Sequence, residues 1–166
     1  AEPWKVTLVD TGQKTLTGGR LKRVYEYIKD EKAFCFTYGD GVSDVNITKL
    51  IAYHEKLGKQ ATLTATRPPG RYGALKINNS GLVDHFQEKP DGDGSWINGG
   101  YFVLSPKVIE RIEGDQTSWE SAPLYELAED AELVAYKHDG FWQPMDTSRE
   151  YKLLNSLYNS GNAPWI

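Results

Sequence analysis

The stretch Ala33-Phe34-Cys35-Phe36-Thr37-Tyr38-Gly39-Asp40-Gly41 decides how this chain reads. Its first six residues are nearly continuously apolar, which predicts a strand buried on both faces, as in parallel sheets. The run stops abruptly at Gly-Asp-Gly, so the Asp40 carboxylate falls at the carboxyl edge of a sheet. Open α/β sheets bind their ligands at that edge, and flanking glycines let a phosphate or a metal approach the backbone closely. A plain Asp-Gly turn uses the same residues, and nothing local separates the two readings.

Working outward, strand-like and helix-like segments alternate. Residues 6–9 form a β-branched run closed by the turn signal Asp10-Thr11-Gly12. Leu21, Val24, Tyr25 and Ile28 lie on one helical stripe after Gly18-Gly19, and Ile47, Leu50, Ile51, His54 and Leu57 lie on another that Gly58 is placed to end. Residues 61–66 predict a further strand. This β-α-β-α-β series predicts an α/β fold: a Rossmann-like, open, mixed and mostly parallel sheet with helices on both faces.

Beyond it, residues 74–77 and 82–87 flank Asn78-Asn79-Ser80-Gly81 and predict a β-hairpin. Residues 97–104 predict a strand carrying Gly99-Gly100. Ser105-Pro106 predicts a capped helix, with another helix at 121–129 and a strand at 133–136. Thr147-Ser148-Arg149-Glu150 fits a capping box that opens a last helix. Residues 1–166 read as one domain.

Composition narrows the function classes. A net charge of −4 argues against a nucleic-acid partner, which calls for a basic face. No apolar run approaches the ~20 residues that span a membrane. A single cysteine, Cys35, excludes an internal disulfide framework and a cysteine-clustered zinc site. The five tryptophans, Trp4, Trp96, Trp119, Trp142 and Trp165, are compatible with a subunit interface. The chain has no initiator Met, charged leader or signal peptide, and is expected to begin inside a larger protein.

Several positions have the chemistry of a phosphate site. Asp146, between an aromatic strand-like stretch and a helix, is either an N-cap or a second carboxylate that shares Mg²⁺ with Asp40. Mg²⁺ takes one or two carboxylates and completes its octahedron with water and phosphate oxygens. In Thr15-Leu16-Thr17-Gly18-Gly19-Arg20, glycines ahead of a helix offer N–H groups to an anion, and Arg20 is suited to bind a phosphate through two parallel hydrogen bonds. Lys89, in Glu88-Lys89-Pro90, is a positive charge able to meet a sugar phosphate. His54, on an apolar stripe, reads as structural. No Ser-His-Asp order supports nucleophilic catalysis.

Taken together, Thr15–Arg20, Tyr38-Gly39-Asp40-Gly41, Pro69-Gly70-Arg71-Tyr72-Gly73, Phe86-Gln87-Glu88-Lys89-Pro90, Ile97-Asn98-Gly99-Gly100-Tyr101 and Trp142-Gln143-Pro144-Met145-Asp146-Thr147 resemble the sugar-1-phosphate nucleotidyltransferases, in their cytidylyl branch. The resemblance covers essentially the whole chain. It implies transfer of a cytidylyl group from CTP to α-D-glucose 1-phosphate, giving CDP-glucose and diphosphate, with Mg²⁺ as cofactor. By the same resemblance Asp40 and Asp146 hold the metal, and Thr15, Arg20 and Gly39 line the CTP site. Lys89 meets the sugar phosphate. Glu88, Asn98, Gly99, Gly70, Arg71 and Gly73 shape the glucose pocket beside the hairpin. It further implies a cytoplasmic bacterial homo-oligomer that serves deoxysugar and O-antigen synthesis.

The family's opening strand and glycine-rich nucleotide loop have no counterpart in this sequence. A segment ahead of Ala1 or another chain is therefore expected to complete the site, and to pair with the open edge of the 33–38 strand. Three alternatives remain: a non-catalytic fragment that binds sugar phosphate, a transferase of other base specificity, and a metal-dependent glycosyltransferase. The last is disfavoured because Asp40 and Asp44 are four residues apart and form no Asp-x-Asp motif.

Overall fold

A computed structural model describes residues 3–68, 74–87 and 96–166. The helical stripe around Leu50 becomes α2 (Ile47–Leu57). Asn46 opens it by accepting a hydrogen bond from the Lys49 N–H at 2.9 Å, and Gly58 closes it in the left-handed conformation at φ 61°. The strands are β1 (Phe34–Thr37), β2 (Gly41–Ser43), β3 (Ala61–Thr66), β4 (Ala74–Ile77), β5 (Val83–Gln87), β6 (Ile97–Leu104), β7 (Leu133–Lys137) and β8 (Trp142–Pro144). The main sheet has the order β1-β6-β3-β7. β1, β3 and β7 run one way and β6 runs against them, so the sheet is mixed. β4 and β5 form the expected antiparallel hairpin.

Strand periodicity divides the main sheet into two packed faces. Ala61, Leu63, Phe102, Leu104, Phe34 and Phe36 join Leu21, Val108, Ile109, Ile112, Trp119 and Leu127 in the core. Leu21 comes from α1 (Thr17–Arg23) and Leu127 from α3 (Ala122–Glu129). The alternate residues face α2: the Thr62 hydroxyl lies 2.9 Å from His54 Nδ1, and the Tyr136 ring meets Tyr53 edge-on at 5.4 Å. Helices therefore cover both faces, and His54 is a structural residue. Its burial lowers its pKa, which keeps the imidazole neutral in this packing.

Several local expectations need correction. Residues 6–9 form no strand; Trp4, Val6 and Leu8 are exposed instead, because a β-branched run becomes a strand only when another strand satisfies its backbone. β1 is half-buried rather than buried on both faces, with Cys35 and Thr37 exposed, since it ends the described sheet and pairs with β6 alone. Of the 21–28 stripe, Leu21, Val24 and Ile28 pack on the core while Tyr25 is exposed, because the helix is split: α1 stops at Arg23 and Tyr25–Tyr27 continue as a 3₁₀ turn. Pro106–Arg111 is likewise 3₁₀, although Ser105 caps it as expected. Trp119 is completely buried, so it belongs to the core and not to a subunit interface. No described helix is long and apolar enough to cross a membrane.

Candidate functional site

Two three-residue strands build the centre of the site, β8 in the strand-like aromatic stretch ahead of Asp146 and β2 in a segment with no strand signal of its own. β2 pairs antiparallel with β8, Gly41 facing Pro144, Val42 facing Gln143 and Ser43 facing Trp142. Beyond the pairing, the Met145 N–H donates to the Asp40 carbonyl at 2.8 Å. One end of this ribbon therefore carries both Asp40 and Asp146, residues 106 positions apart in the chain.

The N-cap reading of Asp146 is settled by its neighbours. Thr147 caps α4 (Ser148–Asn159), its hydroxyl accepting from the Glu150 N–H at 3.3 Å. The Glu150 carboxylate reaches back and accepts from the N–H groups of both Asp146 and Thr147, each at 2.9 Å. This capping box fixes the Asp146 backbone and leaves its side chain out of the cap.

The carboxylates of Asp40 and Asp146 are exposed, and neither makes a hydrogen bond or an ion pair with another described side chain. An added Cβ at Gly39 would meet nothing within 4 Å, so the backbone beside Asp40 is open to a ligand. Among the described residues no three or more His, Cys, Asp or Glu side chains gather into a metal cluster. Two unpaired carboxylates with open space around them fit Mg²⁺, whose other ligands are water and phosphate.

A residue outside every sequence motif links the surrounding segments. Glu120 Oε1 accepts from the Tyr38 hydroxyl at 2.5 Å, and Oε2 accepts from Thr17 at 2.7 Å and Ser118 at 2.6 Å. It thereby connects α1, the strand that leads into Asp40, and Asn98, whose amide lies 3.5 Å from the Tyr38 hydroxyl. Burial alone would raise the Glu120 pKa, but the hydroxyls of Ser118, Tyr38 and Thr17 outweigh it and hold the carboxyl below its usual value. Burial and Glu120 together push the Tyr38 phenol well up, so Tyr38 remains the donor.

A depressed folded-state pKa contributes stability above the unfolded value, here 4.5, and the contribution is lost as pH falls through the folded pKa. Melting temperatures measured from pH 6 to pH 3 are therefore expected to fall less steeply for Glu120→Gln than for the parent. Parallel curves would remove Glu120 from this network.

Thr15–Arg20 adopts a different arrangement from the one expected. Gly18 and Gly19 lie inside α1 rather than ahead of it, and the Gly19 N–H donates to the Thr117 carbonyl at 3.1 Å. The pair is consequently no cradle of free donors. The glycines are needed for close packing, since a Cβ on Gly19 would sit 2.6 Å from the Asp115 backbone. Thr15 is buried, and the Arg20 guanidinium donates to the Thr11 hydroxyl at 2.7 Å. These residues approach Asp40 only through Thr17, Glu120 and Tyr38.

On the other side of Asp40, Asn98 Oδ1 accepts from the Gly100 N–H at 2.9 Å. Gly100 takes φ 78°, and a Cβ there would lie 2.7 Å from the Tyr38 ring. Only glycine suits that strand kink. The Gly99 carbonyl accepts from Trp142 Nε1 at 2.8 Å. At the same sheet edge, Arg67 and Lys137 place their cations 4.6 and 5.4 Å from the Trp96 ring centroid, a pair that no motif announced. Gly70, Arg71, Gly73, Glu88 and Lys89 lie outside the described residues.

Ser43, His138 and Asp44 also meet, but not as a catalytic triad. Ser43 Oγ at 3.2 Å and Asp44 Oδ1 at 2.9 Å both approach the same imidazole nitrogen, Nε2, whereas a relay needs one partner on each nitrogen.

Comparison with known proteins converges on one family. The nucleotidyl transferase family model matches residues 10–148. A glucose-1-phosphate cytidylyltransferase of Salmonella typhimurium is 60% identical over 164 residues, covering 99% of this chain and 63% of that protein. A mannose-1-phosphate guanyltransferase of Aspergillus fumigatus is 30% identical over 86% of this chain and 41% of its own length. Among solved structures, HddC from Yersinia pseudotuberculosis superposes with a TM-score of 0.64 at 23% identity, over 89% of this chain and 64% of that one. The chain thus spans under two thirds of the length of each of these proteins.

Proposed function

Because the chain belongs to the nucleotidyl transferase family, we propose that it forms part of a glucose-1-phosphate cytidylyltransferase, converting CTP and α-D-glucose 1-phosphate to CDP-glucose and diphosphate. The observation that carries this reading is the ribbon that brings Asp40 and Asp146 to one end, with no partner for either carboxylate among the described side chains. The likeness to the Salmonella relative supports the choice of base and sugar.

In this reaction a phosphate oxygen of the sugar attacks the α-phosphorus of the nucleotide in line. A new P–O bond forms, the bond to the β-phosphate oxygen breaks, and its electron pair leaves with diphosphate. Such transfers rest on positioning and charge neutralisation rather than on a protein nucleophile. Asp40 and Asp146 hold Mg²⁺, which supplies positive charge at the phosphates when bound. Glu120 fixes Tyr38 and thereby the strand end that presents Asp40. Arg67 and Lys137 contribute positive field at the same edge, which favours the approach of the anionic phosphates of both substrates.

Thr15, Arg20 and Gly39 belong in this proposal to the nucleotide side. Lys89, Glu88, Asn98, Gly99 and the loop of Gly70, Arg71 and Gly73 belong to the sugar side. The named activity of the Salmonella relative supports CDP-glucose as the product; the same reading makes the enzyme a cytoplasmic homo-oligomer that serves bacterial deoxysugar synthesis.

The test is a chimera in which this chain replaces the matching 164 residues of that relative. With glucose 1-phosphate and Mg²⁺, diphosphate release is expected with CTP and to be at least tenfold slower with GTP, ATP or UTP. Equal release from all four nucleotides would contradict the assignment of base. No release from any would contradict the reading that this chain carries the catalytic carboxylates.

A further inference from the structure

A ribbon of three residue pairs does not hold itself in place, since isolated two-stranded pairs are marginal in water. Its backbone is anchored to the neighbouring chain by side chains. The Tyr101 hydroxyl, from β6, donates to the Gly41 carbonyl at 2.7 Å, one residue after Asp40. Trp142, from β8, donates its indole N–H to the Gly99 carbonyl on β6 at 2.8 Å. A third anchor closes the far end, where His138 Nε2 lies 2.9 Å from Asp44 and 3.2 Å from the Phe141 carbonyl.

The first two anchors face each other across the same junction. β6 gives a hydroxyl to the ribbon, and the ribbon gives an N–H back to β6. Both β6 residues adjoin the Asn98-Gly99-Gly100 kink, so the distance between that kink and the two carboxylates is set by this reciprocal pair.

We propose that Tyr101 and Trp142 are positioning residues that hold the Asp40–Asp146 pair in register with β6, coupling the geometry of the metal site to the strand kink at Asn98 and Gly99. The proposal rests on the metal reading of the two carboxylates. Neither side chain touches substrate; each acts through a backbone carbonyl. Burial raises the Tyr101 pKa, in keeping with a phenol that stays protonated as a donor.

Equilibrium binding of Mn²⁺ to the full chain, followed by electron paramagnetic resonance, tests the idea. Tyr101→Phe and Trp142→Phe keep an aromatic ring and remove the donor. Each is expected to weaken Mn²⁺ binding about two- to tenfold, the range that corresponds to one net hydrogen bond, with the double variant weaker than either. Tyr53→Phe is the control. It removes the same kind of bond, a phenol donating to the Ala135 carbonyl at 3.2 Å, but one that joins α2 to β7 and not the ribbon to β6, and is expected to leave affinity unchanged.

Unchanged affinity in both ribbon variants would overturn the proposal, as would an equal loss in Tyr53→Phe, which would report general loosening of the sheet. Mn²⁺ binding that survives in Asp40→Asn and Asp146→Asn would overturn the metal reading itself, and the proposal with it. Because the Asp variants and the donor variants are measured separately, the two failures are distinguishable.

Discussion

Replacing either Asp40 or Asp146 with asparagine in the chimera is expected to slow Mg²⁺-dependent diphosphate release by roughly 100- to 1,000-fold, equivalent to several kcal/mol of transition-state stabilisation by a metal. Asparagine preserves size and removes the charge that draws a divalent cation. The two carboxylates sit on opposite strands of one ribbon, tied by the Met145–Asp40 backbone hydrogen bond, so losing either leaves half a site. Because they act on one ion, the double variant is expected to be no slower than the slower single variant. Neither change touches a described hydrogen bond of its own side chain, so melting temperatures should stay close to the parent's. A rate within threefold of the parent in either variant would remove that residue from the metal role.

The second large effect concerns stability. Trp119→Ala is expected to lower the unfolding free energy by about 3–5 kcal/mol, the range for deleting a buried large aromatic side chain. Trp119 is completely buried and lies edge-on to Phe36 at 6.2 Å and to Phe102 at 6.0 Å. These rings join α1 and α3 to the strands that support Tyr38 and Asn98. Its Nε1 has no hydrogen-bond partner among the described residues, and an unpaired buried donor carries a desolvation cost. Trp119→Phe, which keeps a ring and removes that donor, should therefore lose well under half as much. Urea unfolding of the three proteins provides the comparison. Equal losses for Ala and Phe would mean that the N–H is satisfied and that the shape of the indole carries the effect.

What the sequence made legible follows from how local each signal is. α2 could be read because its apolar stripe and the Gly58 that ends it lie within one short segment. The Thr147–Glu150 capping box was legible for the same reason. β2 was not, since three residues are too few to show a period of two; β8 shows only as an aromatic strand-like stretch, and its pairing with β2 joins segments a hundred residues apart. Asp40 and Asp146 were consequently visible as candidates, while the ribbon that unites them was not.

Glu120 was hidden for a different reason. It lies in Ser118-Trp119-Glu120, which matches no motif, and its role comes from hydroxyls contributed by Thr17 and Tyr38. The Gly18-Gly19 reading failed because a glycine pair looks the same in sequence whether it admits a phosphate or another stretch of backbone. Here it admits the backbone of Asp115 and Thr117. The strand expected at 6–9 failed because β propensity describes a fit to a neighbour, and its apolar side chains meet none among the described residues.

Whether Asp40 and Asp146 share one divalent ion is decided by Mn²⁺ titration of the full chain and its variants. One Mn²⁺ per chain is expected in the parent, displaced by Mg²⁺, with the site lost in Asp40→Asn, in Asp146→Asn and equally in the double variant. Residual binding of undiminished affinity in either single variant would show that the two carboxylates act apart and hold no common ion.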